Sequence, residues 1–174
     1  MPLIVENGSG VLNANSYIDL AYLANYATSR GYSLPLSTLD RERFAIVAMD
    51  YLESYRDKFK GVKSFPMQPF QWPRENVFID GTELEGDYIP EELKKAQCQL
   101  VIEQQLRTVL FSTPRNSSVN GFVTQETVGP LTIKYTNKGE GALNGSEVIR
   151  IAGVEVWLSA LISTCRTKLE TVRV

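Results

Sequence analysis

Residues 44–55 read FAIVAMDYLESY, and this stretch decides the fold class. Phe44, Val47, Ala48, Tyr51, Leu52 and Tyr55 recur at i, i+3, i+4, i+7, i+8 and i+11. That is the apolar stripe of a helix lying on a core. Arg41, Glu42, Glu53 and Arg56 fall on the other side and predict a solvated face. Upstream, Ser37 and Asp40 have the spacing of a capping box. Downstream, Lys58 and Lys60 suit a helix C-terminus, and Gly61 is the expected stop.

Working toward the start, Ser16 and Asp19 repeat the box spacing and predict a first helix from Ser16 to Arg30, closed by Gly31. Leu20, Leu23, Ala24 and Ala27 give it one apolar face. Leu3–Val5 read as a short extended lead, and Glu6–Gly10 as a turn.

Working toward the end, residues 62–88 hold three prolines and two glycines, which exclude a long helix. Phe65, Phe70, Trp72 and Phe78 predict a linker that lies over the helices and buries its rings. Asp80-Gly81 is a turn signal. Pro90, Glu91 and Glu92 open a third helix that runs toward Pro114. At roughly 22 residues it would be about 33 Å long. Its apolar residues spread round the circumference, so it is the expected central helix. Phe122–Val128 and Leu131–Tyr135 read as two strands about Gly129-Pro130. Residues 137–146 form a loop, 147–162 a helix despite several β-branched residues, and 164–174 a strand or an arm reaching a neighbour.

The fold class expected is α+β, mainly α: a helical bundle with a β-hairpin and an extended C-terminal arm. One domain spans 1–174, with a helical body at about 15–113, a hairpin at about 121–136, and a C-terminal helix and arm at about 147–174.

The chemistry is defined by what is missing. The chain has no histidine, so the commonest general base and metal ligand are absent. Cys98 and Cys165 form no C-x-x-C pair and read as small hydrophobes. No phosphate-binding glycine motif or nucleophile elbow occurs. Glu83, Glu85 and Asp87 lack the glycine and distal glutamate of a calcium loop and read as solvated. No enzyme, cofactor or metal site is expected. No apolar run is long enough to span a membrane and no signal peptide is recognisable, so synthesis in the cytoplasm is expected.

A formal net charge of −2 argues against general polyanion binding. Aromatic residues near the first helix (Tyr22, Tyr26, Tyr32) and in the linker accompany Lys58, Lys60, Lys63 and Arg74. They keep single-stranded DNA binding open as an alternative.

Five pieces in order carry a resemblance. They are the opening LIVENGSGVLNANSYIDLAYLANYATSRG, Ala48-Met49-Asp50-Tyr51-Leu52, Gln68-Pro69-Phe70-Gln71-Trp72-Pro73-Arg74, Ile89-Pro90 with Leu93-Lys94 and Ala96, and Val128-Gly129-Pro130-Leu131 with Tyr135. Together, over about residues 3–162, they resemble the head–tail connector (adaptor) proteins of tailed phages, some of which carry the label "DnaT-like single-stranded DNA binding". The resemblance implies a structural virion protein made in the host cytoplasm. It would form a homo-oligomeric ring, expected to be a dodecamer, between the portal protein and the tail or neck (stopper or terminator) proteins. Genomic DNA would pass through the lumen without specific binding, and no membrane is involved. Phe70, Trp72, Pro73 and Arg74 are expected to anchor the linker, because proline fixes the backbone beside a large ring. Val128, Gly129, Pro130, Tyr135, Arg166, Lys168 and Arg173 are the expected subunit or partner contacts.

Overall fold

The computed structural model describes residues 2–35, 37–106, 110 and 150–163, and the backbone of 125–128 and 131–134. The chain divides into two compact units, Met1–Leu110 with Arg150–Val174, and Phe111–Ile149.

In the first unit, helix α1 spans Leu20–Ser29 and α2 spans Thr38–Glu53. Two short antiparallel pairs follow: β1 (Val62–Lys63) with β2 (Arg74–Glu75), and β3 (Phe78–Ile79) with β4 (Thr82–Glu83). Helix α3 covers Glu91–Gln105 and α4 covers Ala152–Leu158. Helix α3 packs against α1, α2 and α4 and is the central element, as its all-round apolar pattern predicts. The fold is α+β and mainly α, as expected.

The start of α1 differs from expectation. The cap is Asp19, whose Oδ1 accepts from the Tyr22 N–H at 2.6 Å. Ser16 is held extended by a parallel bridge to Val5, so it cannot begin a helix. Its hydroxyl instead donates to the Ile18 carbonyl and accepts from the Gln97 amide. At the far end Gly31 takes φ 73°, the expected left-handed closure.

Helix α2 is capped by Ser37 as predicted, but it stops at Glu53 rather than running to Gly61. The Ser54 hydroxyl donates to the Tyr51 carbonyl at 2.6 Å, and the chain tightens into a 3₁₀ turn at Arg56–Lys58. The buried face is Ala45, Ala48, Met49, Tyr51 and Leu52, with Tyr55 beyond the helix end; Val47 is exposed and Phe44 half-buried. The face is rotated from the predicted stripe because α3 approaches the backbone at the alanines. There Gln97 Nε2 donates to the Ala45 carbonyl at 3.0 Å.

Helix α3 is shorter than the expected run to Pro114, and Leu106 is its C-cap. The predicted helix in 147–162 is present as the two-turn α4. Its start is tied to α2: the Ile151 N–H donates to Tyr51 Oη at 3.3 Å, and Tyr55 Oη donates to Glu155 Oε1. Beyond it, Ile162 bridges Phe59 and the Ser163 N–H donates to the Lys58 carbonyl at 2.7 Å.

The linker is folded, with the Asp80-Gly81 turn where predicted; both residues have positive φ, the signature of a two-residue hairpin loop. Its rings are not all buried, contrary to expectation. Trp72 is, Phe70 is half-buried, and Phe65 and Phe78 face outward.

In the second unit, β5 (Gln125–Val128) pairs antiparallel with β6 (Leu131–Lys134), with Val128 opposite Leu131. This is the hairpin expected at 121–136, as far as its residues are described. The arm after residue 163 lies outside the described residues.

Candidate functional site

The motif Gln68–Arg74 is a strap sewn to three elements. Trp72 is fully buried, meets the Phe59 ring edge-on at 6.0 Å, and donates its backbone N–H to Tyr17 Oη at 3.1 Å. Phe70 lies 5.3 Å from the Tyr17 ring. Pro73 and Arg74 are also buried.

Gln68 closes the strap on itself. Its Nε2 donates to the carbonyls of Phe70 and Pro73 at 2.8 and 2.9 Å, and its Oε1 accepts from the Phe65 N–H at 2.9 Å. Gln71 ties the strap to the end of α2 through Glu53. The predicted solvated face of α2 therefore loses Glu53, which works as a clamp.

Arg74 is 7% exposed, and its guanidinium is consumed by the protein. Nε donates to the Lys60 carbonyl and one terminal nitrogen to the Gly61 carbonyl, both at 2.7 Å. The other terminal nitrogen donates to the carbonyl and side-chain oxygen of Gln71 at 3.2 Å. Burial lowers its pKa, partly offset by Tyr17 and Glu53. The expected anchor residues are thus together in one structural unit. The basic-aromatic stretch is correspondingly depleted: Lys60 Nζ donates to the Ala160 carbonyl at 2.7 Å, and Lys58 sits over the Tyr55 ring.

The Trp72 indole N–H is buried without a hydrogen-bond partner among the described residues, and on either side of the strap several apolar side chains are exposed. Met67 is 88% exposed, and Val62, Phe65 and Phe78 also face out. The Phe65 ring lies against Gly10, where a Cβ would approach it to 2.9 Å; nearby in sequence, Leu12 is 75% exposed.

Of the expected partner contacts, Val128 sits at the end of β5, paired with Leu131. Gly129, Pro130, Tyr135, Arg166, Lys168 and Arg173 lie outside the described residues.

Sequence reasoning missed a buried polar junction. Gln97, on the central helix, is fully buried; its Oε1 accepts from the Tyr17 N–H at 3.0 Å while its Nε2 reaches Ser16 and the Ala45 carbonyl. It also missed Glu6, 1% exposed, whose Oε1 accepts from the N–H groups of Gly8 and Gly10 at 2.9 and 3.0 Å. A polar residue in an apolar pattern was the available signal for Gln97. Nothing marked Glu6, which sits in ordinary turn composition.

Among the described residues no acidic or thiol cluster is arranged to hold a metal ion, and no helix is long and apolar enough to cross a membrane.

The fold and strap define a small, mainly helical α+β protein whose motif residues hold one another in place. Over its whole length, residues 1–174, the chain matches the family described as "Putative DnaT-like ssDNA binding protein", and it belongs to that family. No curated protein and no solved structure matches it.

Proposed function

We propose that the chain is a structural virion protein, a subunit of a homo-oligomeric ring that joins the phage portal to the tail and leaves a channel for the genome. The observation that carries this reading is the set of exposed apolar side chains on either side of the strap. Single exposed leucines are ordinary, but Val62, Phe65, Met67 and Phe78 are all exposed in the linker that flanks the strap. That is the pattern of a surface covered on assembly. The ordered motifs that resemble head–tail adaptors supply the kind of assembly, with portal and neck proteins as further partners and a virion location. The net charge of −2 suits a conduit that must not retain DNA. The test is to mix the purified protein with isolated portals and image the product. Rings seated on the portal are the expected result; a chain that stays monomeric with portals present overturns the reading.

A second reading, single-stranded DNA binding, is favoured by the family description, which supports it more directly than it supports the first. On this reading the exposed rings of Phe65 and Phe78 would stack bases, with Lys63 close to Phe65 in sequence. Titration with a fluorescent single-stranded oligonucleotide at low salt separates the two. Sub-micromolar, salt-sensitive affinity supports DNA binding. No saturation by about 10 µM, weaker than a dedicated binder shows, speaks against it.

A further inference from the structure

A cleft of about 480 Å³ opens where the first turn, the approach to α1 and the loop before α3 meet. Its walls carry four carboxylates, Glu6, Asp19, Glu85 and Asp87, against one base, Lys94. That base is already taken, since Lys94 Nζ lies 2.8 Å from Glu91 Oε1. Asp19 is occupied in capping α1. The side chains of Glu85 and Asp87 are exposed and make no hydrogen bond or ion pair among the described residues. The independent observation is Glu6. It lines the cleft at 1% exposure, and its Oε2 is buried with no hydrogen-bond partner. A buried carboxylate oxygen without a donor is costly, and a donor from a ligand would remove that cost.

The aromatic lining fits the same ligand. Tyr88 is partly exposed, and Tyr22, whose hydroxyl donates to Glu91 at 2.6 Å, has the Lys94 ammonium 6.0 Å over its ring; both tyrosines line the cleft with the carboxylates. Carboxylates with tyrosine faces suit a guanidinium or ammonium group on a flexible stem. No carboxylate set here converges for a metal ion.

We propose that this cleft receives the basic segment 164–174 of a second copy of the chain. Charge complementarity selects the occupant: the segment TCRTKLETVRV carries Arg166, Lys168 and Arg173 against a single acid, Glu170. A cleft on one copy and a segment on the next form a head-to-tail contact between unlike surfaces, the kind that closes into rings. The inference rests on the ring reading and deepens it.

The test uses two full-length variants under reducing conditions. One removes the cleft charges (Glu85→Gln with Asp87→Asn), and the other the basic groups (Arg166→Ala, Lys168→Ala and Arg173→Ala). Each alone is expected to associate at least about tenfold more weakly than wild type by native mass spectrometry, and a mixture to form mixed pairs at low salt. A mixture that stays monomeric, or a cleft variant that assembles like wild type, overturns the proposal. If the cleft variant still forms rings on portals, the cleft assignment fails and the ring reading stands. If wild type never assembles, a labelled peptide of residues 164–174 titrated into the second variant still decides. Salt-sensitive binding lost with the cleft charges supports the cleft, and no binding overturns it. Circular dichroism melting shows that each variant is folded.

Discussion

Gln71 donates its backbone N–H to one carboxylate oxygen of Glu53 and its side-chain amide to the other, at 3.0 and 3.1 Å. The C-terminal end of α2 thereby grips the middle of the strap through both oxygens of a single carboxylate. Glu53→Ala frees two donors at once. Hydrogen bonds to charged groups contribute roughly 1.5–3 kcal/mol, and the freed donors regain only part of that from water. The expected loss is about 2 kcal/mol, read as a lower urea midpoint at an unchanged m value.

Arg74 makes a sharper test because its charge is buried and its partners are carbonyls. Arg74→Lys keeps the charge but cannot reach the Lys60, Gly61 and Gln71 oxygens together. Both Arg74→Lys and Arg74→Ala are expected to destabilise by about 3 kcal/mol, since buried acceptors lose their donors. A lysine variant as stable as wild type, measured by urea unfolding, contradicts the anchor role.

Several tyrosines are held neutral. Burial is the first cause of the raised pKa of Tyr17, Tyr22, Tyr26 and Tyr55, and acceptor carboxylates add to it at Tyr22 and Tyr55. Below about pH 10 both folded and unfolded states keep these protons, and the stabilisation is fully present. Above it the unfolded chain loses protons that the native state keeps, so stability falls. Guanidinium midpoints are expected to change little through neutral pH and to drop steeply above about pH 10. Tyr17→Phe lowers stability at pH 7, by losing the acceptor of the Trp72 N–H, and makes the alkaline drop shallower.

Cys98 is fully buried on α3, and burial pushes its thiol pKa well up. A thiolate is the reactive form, so iodoacetamide is expected to leave Cys98 unmodified in the native protein and to modify it in urea. Peptide mass spectrometry reads the outcome directly.

The helices were legible in the sequence because apolar periodicity and capping residues are local signals. Ser37, Gly31 and Asp80-Gly81 sit where the local chemistry requires them. The errors arose from tertiary contacts. Ser16 has the spacing of a cap but is pulled straight by Val5. The face of α2 is turned toward Gln97, a residue fifty-two positions from Ala45. Phe65 and Phe78 look like core rings in composition, yet the strap has room inside for Trp72 and part of Phe70 only. Of the site, the grouping Phe70, Trp72, Pro73 and Arg74 was readable because proline and tryptophan advertise a fixed backbone. The acidic cleft was not, since its walls come from three separated segments.

The bond from the Ser163 N–H to the Lys58 carbonyl returns the chain after α4 to the 3₁₀ turn that follows α2. With the Phe59–Ile162 bridge beside it, the Arg56–Lys58 turn is clasped by residues far along the sequence. The turn therefore depends on residues that follow α4, and disrupting Ile162 or Ser163 would loosen the Arg56–Lys58 segment as well.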